Sequence, residues 1–451
     1  MTDTADSREL VLGILMEVTR QEEYSHIAIR NVLEKYQYLG KQDRAFITRV
    51  AEGTLERMLE LDYIINQFSS VKVNKMKPVI RNILRMSVYQ LKYMDSVPDA
   101  AVCNEAVKLA QKKGFRNLKG FVNGVLRNTA RGLGEVRYPD PEDPVSSLSV
   151  RYSMPEWVVE EWLKSYGSER TEKMLAAFLE PSPLFVRVNL EKITPEDLSE
   201  RLRKQGMAVS PAPYLPYALQ IENLNYLRAV PEFREGLFQI QDVSSMLTVE
   251  AAAPKAGDVC MDVCAAPGGK CLHLAEKLRG TGCVDARDLT EYKADLIREN
   301  IARMGARNVT VKVQDACLLD EASVEKADLV LADLPCSGMG VLGRKTDLKY
   351  RMTKEQKKEL AALQRRILET VQTYVKPGGT LLYSTCTINR AENEDNVRWF
   401  LEQFPFEAVS LDDSLPEELQ GETTKKGYLQ LIPGVHACDG FFIAKFRKMN
   451  N

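Results

Sequence analysis

The chain reads as a multidomain protein: an all-α bundle at the front, a small α+β module behind it, and an α/β domain built on a doubly wound sheet. Three observations carry this. Apolar residues recur at helical spacing from residue 8 to about 132, a short alternating strand follows near residue 184, and strand and helix signals alternate from about Gln241 onward. At 451 residues the chain is long for one hydrophobic core, and two or three domains are expected. The signals divide it into residues 1–140, 141–237 and 238–451.

The front segment carries three apolar stripes. Val11, Ile14, Leu15 and Val18 form the first, Ile47, Val50, Ala51 and Thr54 the second, and Ile80, Ile83, Leu84, Val88 and Leu91 the third. A last long helical stretch is expected from Asn104 to Arg131, basic through Lys108, Lys112, Lys113, Arg116, Lys119, Arg127 and Arg131. Gly120 and Gly124 beside Phe121 and Val125 suggest close helix packing there. Residues 133 to about 150 are Pro-rich and acidic and read as a linker.

The middle module opens with a helix from Pro155 to Tyr166. Leu184, Val186, Val188 and Leu190 then alternate with Phe185, Arg187 and Asn189, the pattern of a half-buried strand. Thr194 followed by Pro195 marks a helix start. Strand signals return at Ala218–Ile221 and Phe238–Ile240.

The last domain is organised around one stretch. Val259 to Cys264 is an apolar strand, residues 265–269 turn through Ala-Ala-Pro-Gly-Gly, and a helix opens near Lys270. A buried strand, a Gly-rich turn and a helix N-terminus form the ligand cradle of open α/β sheets, although the dinucleotide spacing G-x-G-x-x-G is absent. Strands follow at Gly282–Ala286, Val309–Val313, Ala327–Ala332 and Thr380–Tyr383. Helices are expected at Tyr292–Met304, Lys354–Val375 (stopped by Pro377-Gly378-Gly379) and Ala391–Gln403. Tyr428–Leu431 and Gly440–Phe446 form a closing hairpin. Repeated strand–helix units imply a doubly wound sheet with ligands at the carboxyl ends of its strands.

Composition narrows the chemistry. No stretch approaches an uninterrupted apolar membrane span, and Met1–Arg8 is polar and acidic, unlike a signal peptide; a cytoplasmic protein without a membrane partner is expected. The nine cysteines show no paired metal spacing, so free thiols and no metal are expected. Only His26, His273 and His436 are available, which disfavours histidine acid–base catalysis. The net charge is −2, but residues up to about 140 carry about five more basic than acidic side chains. A basic appendage on an acidic body fits a polyanion held by one domain and processed by another; charge drift between helical domains is the plainer alternative.

Four successive strands end in reactive or carboxylate groups. The first ends at Cys264 and the Pro-Gly-Gly turn. The second leads to Asp288, placed to bond ribose hydroxyls, with Asp285 on the opposite face of the strand unless the register slips. The third leads to Asp315, suited to an amine on a base. The fourth leads to Asp333-Leu-Pro-Cys336-Ser-Gly338, and the strand after it to Ser384-Thr-Cys386-Thr387. Neighbouring strand ends would bring Cys336 and Cys386 face to face. Two thiols on a ligand rim suit nucleophilic catalysis; an inert buried pair is the alternative.

These motifs carry a resemblance. Phe238-Gln-Ile-Gln-Asp-Val-Ser-Ser245, Asp262-Val-Cys-Ala-Ala-Pro-Gly-Gly-Lys270, Asp333–Gly338 and Tyr383-Ser-Thr-Cys-Thr387 with Glu392-Asn393 are similar to those of the RNA 5-methylcytosine methyltransferases that use S-adenosylmethionine. The runs Gly40–Gly53 and Ile80–Leu91 resemble the RNA-binding antitermination factor NusB. Together they resemble bacterial small-subunit ribosomal RNA methyltransferases of that family. The resemblance implies a NusB-like bundle, an RNA-recognition-like α+β module, a Rossmann-like methyltransferase sheet closed by an antiparallel strand, and a monomer acting on ribosomal RNA.

It also implies roles. Cys386 would be the nucleophile that adds to carbon 6 of cytosine, Cys336 would assist release, Asp333 would bond the cytosine edge near N3, and Lys270 would position the substrate or loop. S-adenosylmethionine would lie along Cys264, Ala265, Ala266, Pro267, Gly268, Gly269 and Lys270, with Asp288 on the ribose, Asp315 on the adenine amine and Asp333 alongside. Arg344–Lys349 would lie beside the RNA backbone. DNA cytosine-5 methyltransferases use the Pro-Cys cysteine instead, so spacing leaves an exchange of roles between Cys336 and Cys386 open. Transfer RNA as substrate, or a non-catalytic RNA-binding assembly factor, also stays open.

Overall fold

The computed structural model describes residues 6–224 and 226–450, so the N-terminal reading of residues 1–5 falls outside the described residues. The chain divides into two compact units: Met1–Glu180 with Leu342–Arg351, and Pro181–Val341 with Met352–Asn451.

The first unit is helical. Its central helix, Pro78–Tyr93, starts with proline in the first turn and buries Ile80, Ile83, Leu84 and Val88. Around it pack helices Ser7–Arg20, Lys41–Glu56, Met58–Phe68, Asp99–Lys112 and Lys119–Gly132. Thus each of the three stripes read from sequence faces one core. The long helix expected over 104–131 is instead two helices, broken at Gly114, whose φ of +87° is left-handed. Gly120 and Gly124 face open space, and that helix packs through Val122, Val125 and Leu126. The segment read as linker holds a short helix, Pro144–Arg151, capped by Asp143. The helix from Glu156 runs to Ala177 with a break at Gly167.

The segment 342–351 corrects the sequence reading. Arg344–Lys349 was expected beside RNA, but Asp347 and Lys349 are buried within the helical unit. Ser25 Oγ donates to Asp347 Oδ1 at 2.5 Å. Lys349 Nζ donates to the Glu56 carbonyl at 2.8 Å, and Tyr350 donates to the same oxygen at 3.1 Å. Burial pushes the Lys349 ammonium down to about 7, and burial with the Glu56 charge pushes the Glu52 carboxyl up to about 7. A buried lysine whose Nζ is held on the Glu56 carbonyl is unavailable to a nucleic-acid backbone.

The second unit holds two sheets. The first is antiparallel, with β1 (Leu184–Val188), β2 (Ala208–Pro211), β3 (Ala218–Glu222) and β4 (Phe238–Ile240) in the order β2-β3-β1-β4. Its helix Pro195–Lys204 is capped by Thr194 as the sequence implies. β2 escaped the sequence reading, because its residues are mostly exposed.

The second sheet contains β5 (Val259–Asp262), β6 (Cys283–Asp288), β7 (Val309–Val313), β8 (Ala327–Asp333), β9 (Val375–Thr385), β10 (Phe406–Ala408), β11 (Tyr428–Leu431) and β12 (Phe441–Lys448). The order is β10-β12-β9-β8-β5-β6-β7. β5 to β9 run parallel; β12 lies antiparallel to β9 and also pairs β11 and β10. From β5 the chain builds outward through β6 and β7, then crosses to β8. The strand order therefore reverses at the β5/β8 boundary, where open sheets bind ligands. The helix Lys354–Val371 starts with a Thr353/Gln356 capping box and ends four residues earlier than expected. Pro377-Gly378-Gly379 lies inside β9, beside a register irregularity against β8.

Candidate active site

The cradle begins where β5 ends. The Ala265 N–H donates to the Arg287 carbonyl at 2.8 Å, and the Gly268 N–H closes the turn on the Ala265 carbonyl at 2.7 Å. Ala266–Pro267 is a cis peptide. The Pro267 carbonyl accepts from Asn300 Nδ2 at 2.9 Å. Gly268 has φ +112°, a conformation closed to most L residues. Gly269 then starts the helix to Lys277, with Lys270 in its first turn.

The strand-end carboxylates all lie at the carboxyl side of this sheet. Asp288 ends β6 and is buried; it accepts from the Ala266 N–H at 3.0 Å and the Leu289 N–H at 2.8 Å, and pairs with Lys293 at 3.0 Å. It is thus tied directly to the Gly-rich turn. Asp285 points away, paired with the buried Arg287 guanidinium. Asp315 follows β7 and accepts from the Cys317 N–H at 2.9 Å. Asp333 ends β8, with Lys270 Nζ 2.7 Å from Oδ2 and Ser384 Oγ donating to Oδ1 at 2.8 Å. Cys264 lies beside them, its thiol pushed up by burial, then by Asp262 and Asp288.

Asp262, the last residue of β5, was quoted in the motif without a role. It is buried, and neither carboxylate oxygen has a hydrogen-bond partner. Burial, reinforced by Asp333, pushes its carboxyl up to about 8. A buried carboxyl beside Asp333 and Asp288 is the kind of group that sequence pattern does not reveal, since only packing strips it of water.

The two thiols meet. β8 and β9 are neighbours with Asp333 opposite Ser384, and the Leu334 N–H donates to the Ser384 carbonyl at 3.0 Å. Their continuations carry Cys336 and Cys386, whose sulfurs lie 3.2 Å apart. The hydrogen bond to Cys386 and burial hold the Cys336 thiol well above its ordinary range, so Cys336 keeps its proton. Lys270 is the opposite case. Burial alone would discharge it, but Asp333, Asp262 and Cys386 outweigh burial and raise it. A fixed cation therefore bears on Cys386. The structure thus gathers Lys270, Asp333, Cys336 and Cys386 at one point, and Cys264 to Gly269 with Asp288 along the adjoining turn.

These groups fit S-adenosylmethionine. That molecule carries an ammonium and a sulfonium, and the rim supplies carboxylates at four strand ends, one of them, Asp262, unpartnered. The turn admits close backbone approach at Gly268 and Gly269, where a Cβ would meet Ile297 at 3.6 Å and Gln241 at 3.7 Å.

Comparison with known proteins agrees. A family model described as 16S rRNA methyltransferase RsmB/F matches residues 249–447, the NusB family matches 5–131, and a ferredoxin-like domain of the RsmF/B-like methyltransferases matches 154–225. The chain is similar to a probable ribosomal RNA small subunit methyltransferase B of Bacillus subtilis, 36% identical over 444 residues and 98% of each chain. It is similar to the crystal structure of PH0851, with a TM-score of 0.82 and 27% identity over 98% of each chain. It is also similar to NSun6 from Pyrococcus horikoshii, solved with SFG, an S-adenosylmethionine analogue (TM-score 0.60, 25% identity, 66% of this chain and 99% of that one). The helical front, the ferredoxin-like module and the Rossmann-like sheet thus each have a counterpart.

Proposed function

This chain belongs to the RsmB/F family of 16S rRNA methyltransferases, S-adenosylmethionine-dependent enzymes, and from that premise we propose that it methylates carbon 5 of a cytosine in small-subunit ribosomal RNA through a covalent cysteine adduct. The observation that carries the reading is the pair of thiols 3.2 Å apart above the Lys270–Asp333 ion pair.

When bound, S-adenosylmethionine supplies an electrophilic methyl group. Carbon 5 of cytosine is too weak a nucleophile for it until the ring's conjugation is broken. Cys386 does this as a thiolate: its sulfur bonds carbon 6, the carbon 5–carbon 6 π pair moves to carbon 4–carbon 5, the carbon 4–N3 π pair moves to N3, and N3 takes up a proton from solvent. Lys270 favours the thiolate by charge. Asp333 accepts the N3–H bond and stabilises the adduct, held by Lys270 on one oxygen and Ser384 on the other. Carbon 5, now enamine-like, takes the methyl group. Its proton then leaves to water as base, the carbon 5–carbon 6 double bond re-forms as the carbon–sulfur bond breaks, and N3 gives its proton back to solvent, returning a thiolate on Cys386. Cys336 assists this elimination. The Lys270 charge that bears on Cys386 supports this division of labour over the exchanged one, because a nearby cation favours a thiolate.

Cys264 to Lys270 would hold the cofactor through backbone contacts, Asp288 through its ribose, and Asp315 through the adenine amine, with Asp333 alongside. Residues 1–140 would bind RNA, 141–237 would present it, and 238–451 would carry the chemistry, in a monomer working in the cytoplasm. The target base must leave its stack to reach the thiols, which favours loops or single strands. No helix among the described residues is long and apolar enough to cross a membrane.

The test uses methyl-labelled S-adenosylmethionine and small-subunit RNA made without modifications. Label recovered as 5-methylcytidine at one position supports the reading. Label recovered only in another methylated nucleoside, or only in transfer RNA, overturns it.

A further inference from the structure

The motif that includes Glu392 remains unused by the chemistry above. The chain buries this carboxylate completely. Oε2 accepts from the Ser337 N–H at 2.8 Å and from Gln364 Nε2 at 3.0 Å, and Oε1 accepts from Ser337 Oγ at 2.5 Å and Asn389 Nδ2 at 2.8 Å. Four neutral donors fill its lone-pair positions, so it has none left for substrate or for proton transfer.

Three of the donors come from the two loops that carry the thiols, and the fourth, Gln364, from the helix Lys354–Val371. Ser337 follows Cys336, and Asn389 lies three residues after Cys386. Gln364 also donates to the Pro335 carbonyl at 2.9 Å, so the residues on both sides of Cys336 are held. Ser337 Oγ lies 2.8 Å from Thr387 Oγ1. Beyond Asp333 and Ser384 the strand ladder has ended, and these side-chain bonds do the work that ladder bonds do inside the sheet.

We infer that Glu392 is a positioning residue, a buried carboxylate that locks the Cys336 loop to the Cys386 loop and so sets the sulfur–sulfur separation. This rests on the two-thiol reading for its consequence in catalysis, but its geometric content stands apart from it. An anion is suited to the place because it accepts at all four positions. Glutamine would turn an NH2 group toward two donors, so that Ser337 Oγ would have to rotate and Asn389 to flip, losing its bond from the Ala391 N–H, or one loop would have to move.

The experiment compares wild type with Glu392→Gln, with Glu392→Gln/Asn389→Asp, and with Ser337→Ala, which removes two of the hydroxyl's bonds and leaves the backbone donor. Folding and S-adenosylmethionine affinity are measured first. The rate of Cys336–Cys386 disulfide formation with diamide, which takes up the two hydrogens and two electrons, then reads the sulfur separation without any methyl transfer. Expected for Glu392→Gln are near-wild-type cofactor affinity and RNA KM, with kcat and the crosslinking rate both lowered roughly 10- to 100-fold. The double variant, whose new carboxylate accepts from the new amide, should recover part of both. Ser337→Ala should lie between, and it decides the matter if Glu392→Gln does not fold. Wild-type crosslinking in folded Glu392→Gln, or in Ser337→Ala where that decides, overturns the inference. Slowed crosslinking in a chain that makes no 5-methylcytidine would overturn the proposed reaction and leave the positioning role standing.

Discussion

At the scale of single residues the site is an arrangement of charges whose neighbours decide their protonation. Asp262 and Asp333 end adjacent strands and face opposite fates. Asp333 has Lys270 and Ser384; Asp262 has no side-chain hydrogen-bond partner, and burial pushes its carboxyl up to about 8. Between the ordinary aspartate value near 3.8 and about 8, the folded protein binds a proton at Asp262 that the unfolded chain does not. Stability of the cofactor-free protein therefore falls as pH rises through that window. Asp262→Asn removes the penalty: its Tm should change less between about pH 5 and about pH 8.5 and exceed wild type at the upper end by a few degrees. A variant that tracks wild type across the range contradicts the assignment. Asp262 also shows where residue-level reading stops. Asp288, Asp315, Asp333, Cys336 and Cys386 were legible because each follows a recognisable strand. That Asp262 lacks a partner depends on what is absent around it, which no local pattern encodes.

At the scale of elements, β5 and β8 declare themselves through short apolar runs and β7 through alternation, and the strand order places the thiols together. What pattern could not resolve were the breaks. Gly114 and Gly167 interrupt runs that stay amphipathic on both sides, and Pro377-Gly378 sits in a strand because β8 and β12 both pair with it beyond the irregularity. The loop after Cys336 has a similar constraint. The Gly340 N–H donates to the Cys386 carbonyl at 3.1 Å, and the Gly440 N–H donates to the Gly340 carbonyl at 2.9 Å. A Cβ on Gly340 would lie 2.0 Å from the Gly440 carbonyl oxygen and 2.9 Å from that of Cys386. Both are backbone atoms that cannot rotate away. Gly340→Ala should therefore displace the Cys386 loop and lower kcat at least about tenfold while cofactor affinity changes little. Unchanged turnover would show that the loop tolerates the displacement.

At the scale of the molecule, the chain leaves the catalytic sheet after Val341, completes the helical unit with Leu342–Arg351, and returns at Met352. The helical unit thus contains ten residues from far along the sequence. Charge pattern alone read this stretch as RNA-facing, because Lys349 and Asp347 look like surface residues until the Glu56 carbonyl and Ser25 close on them. Lys349→Met removes a donor to the Glu56 carbonyl; because the folded ammonium is pushed down to about 7 from the ordinary lysine value of 10.5, wild-type stability in urea unfolding should rise with pH above about 7, and the variant should lack that rise. The variant's deficit should therefore be smaller near about pH 6, where wild type carries the full cost of a buried ammonium, than near about pH 9. An equal loss at both pH values would contradict the electrostatic account.

The central claim is that Cys386 attacks the base and Cys336 releases it. Small-subunit RNA made without modifications, incubated with S-adenosylmethionine and then run on denaturing gels, tests this most directly. The account predicts that Cys336→Ala accumulates a covalent RNA–protein adduct, and that Cys386→Ala forms neither adduct nor 5-methylcytidine. An adduct trapped by Cys386→Ala instead would reverse the roles and contradict the account.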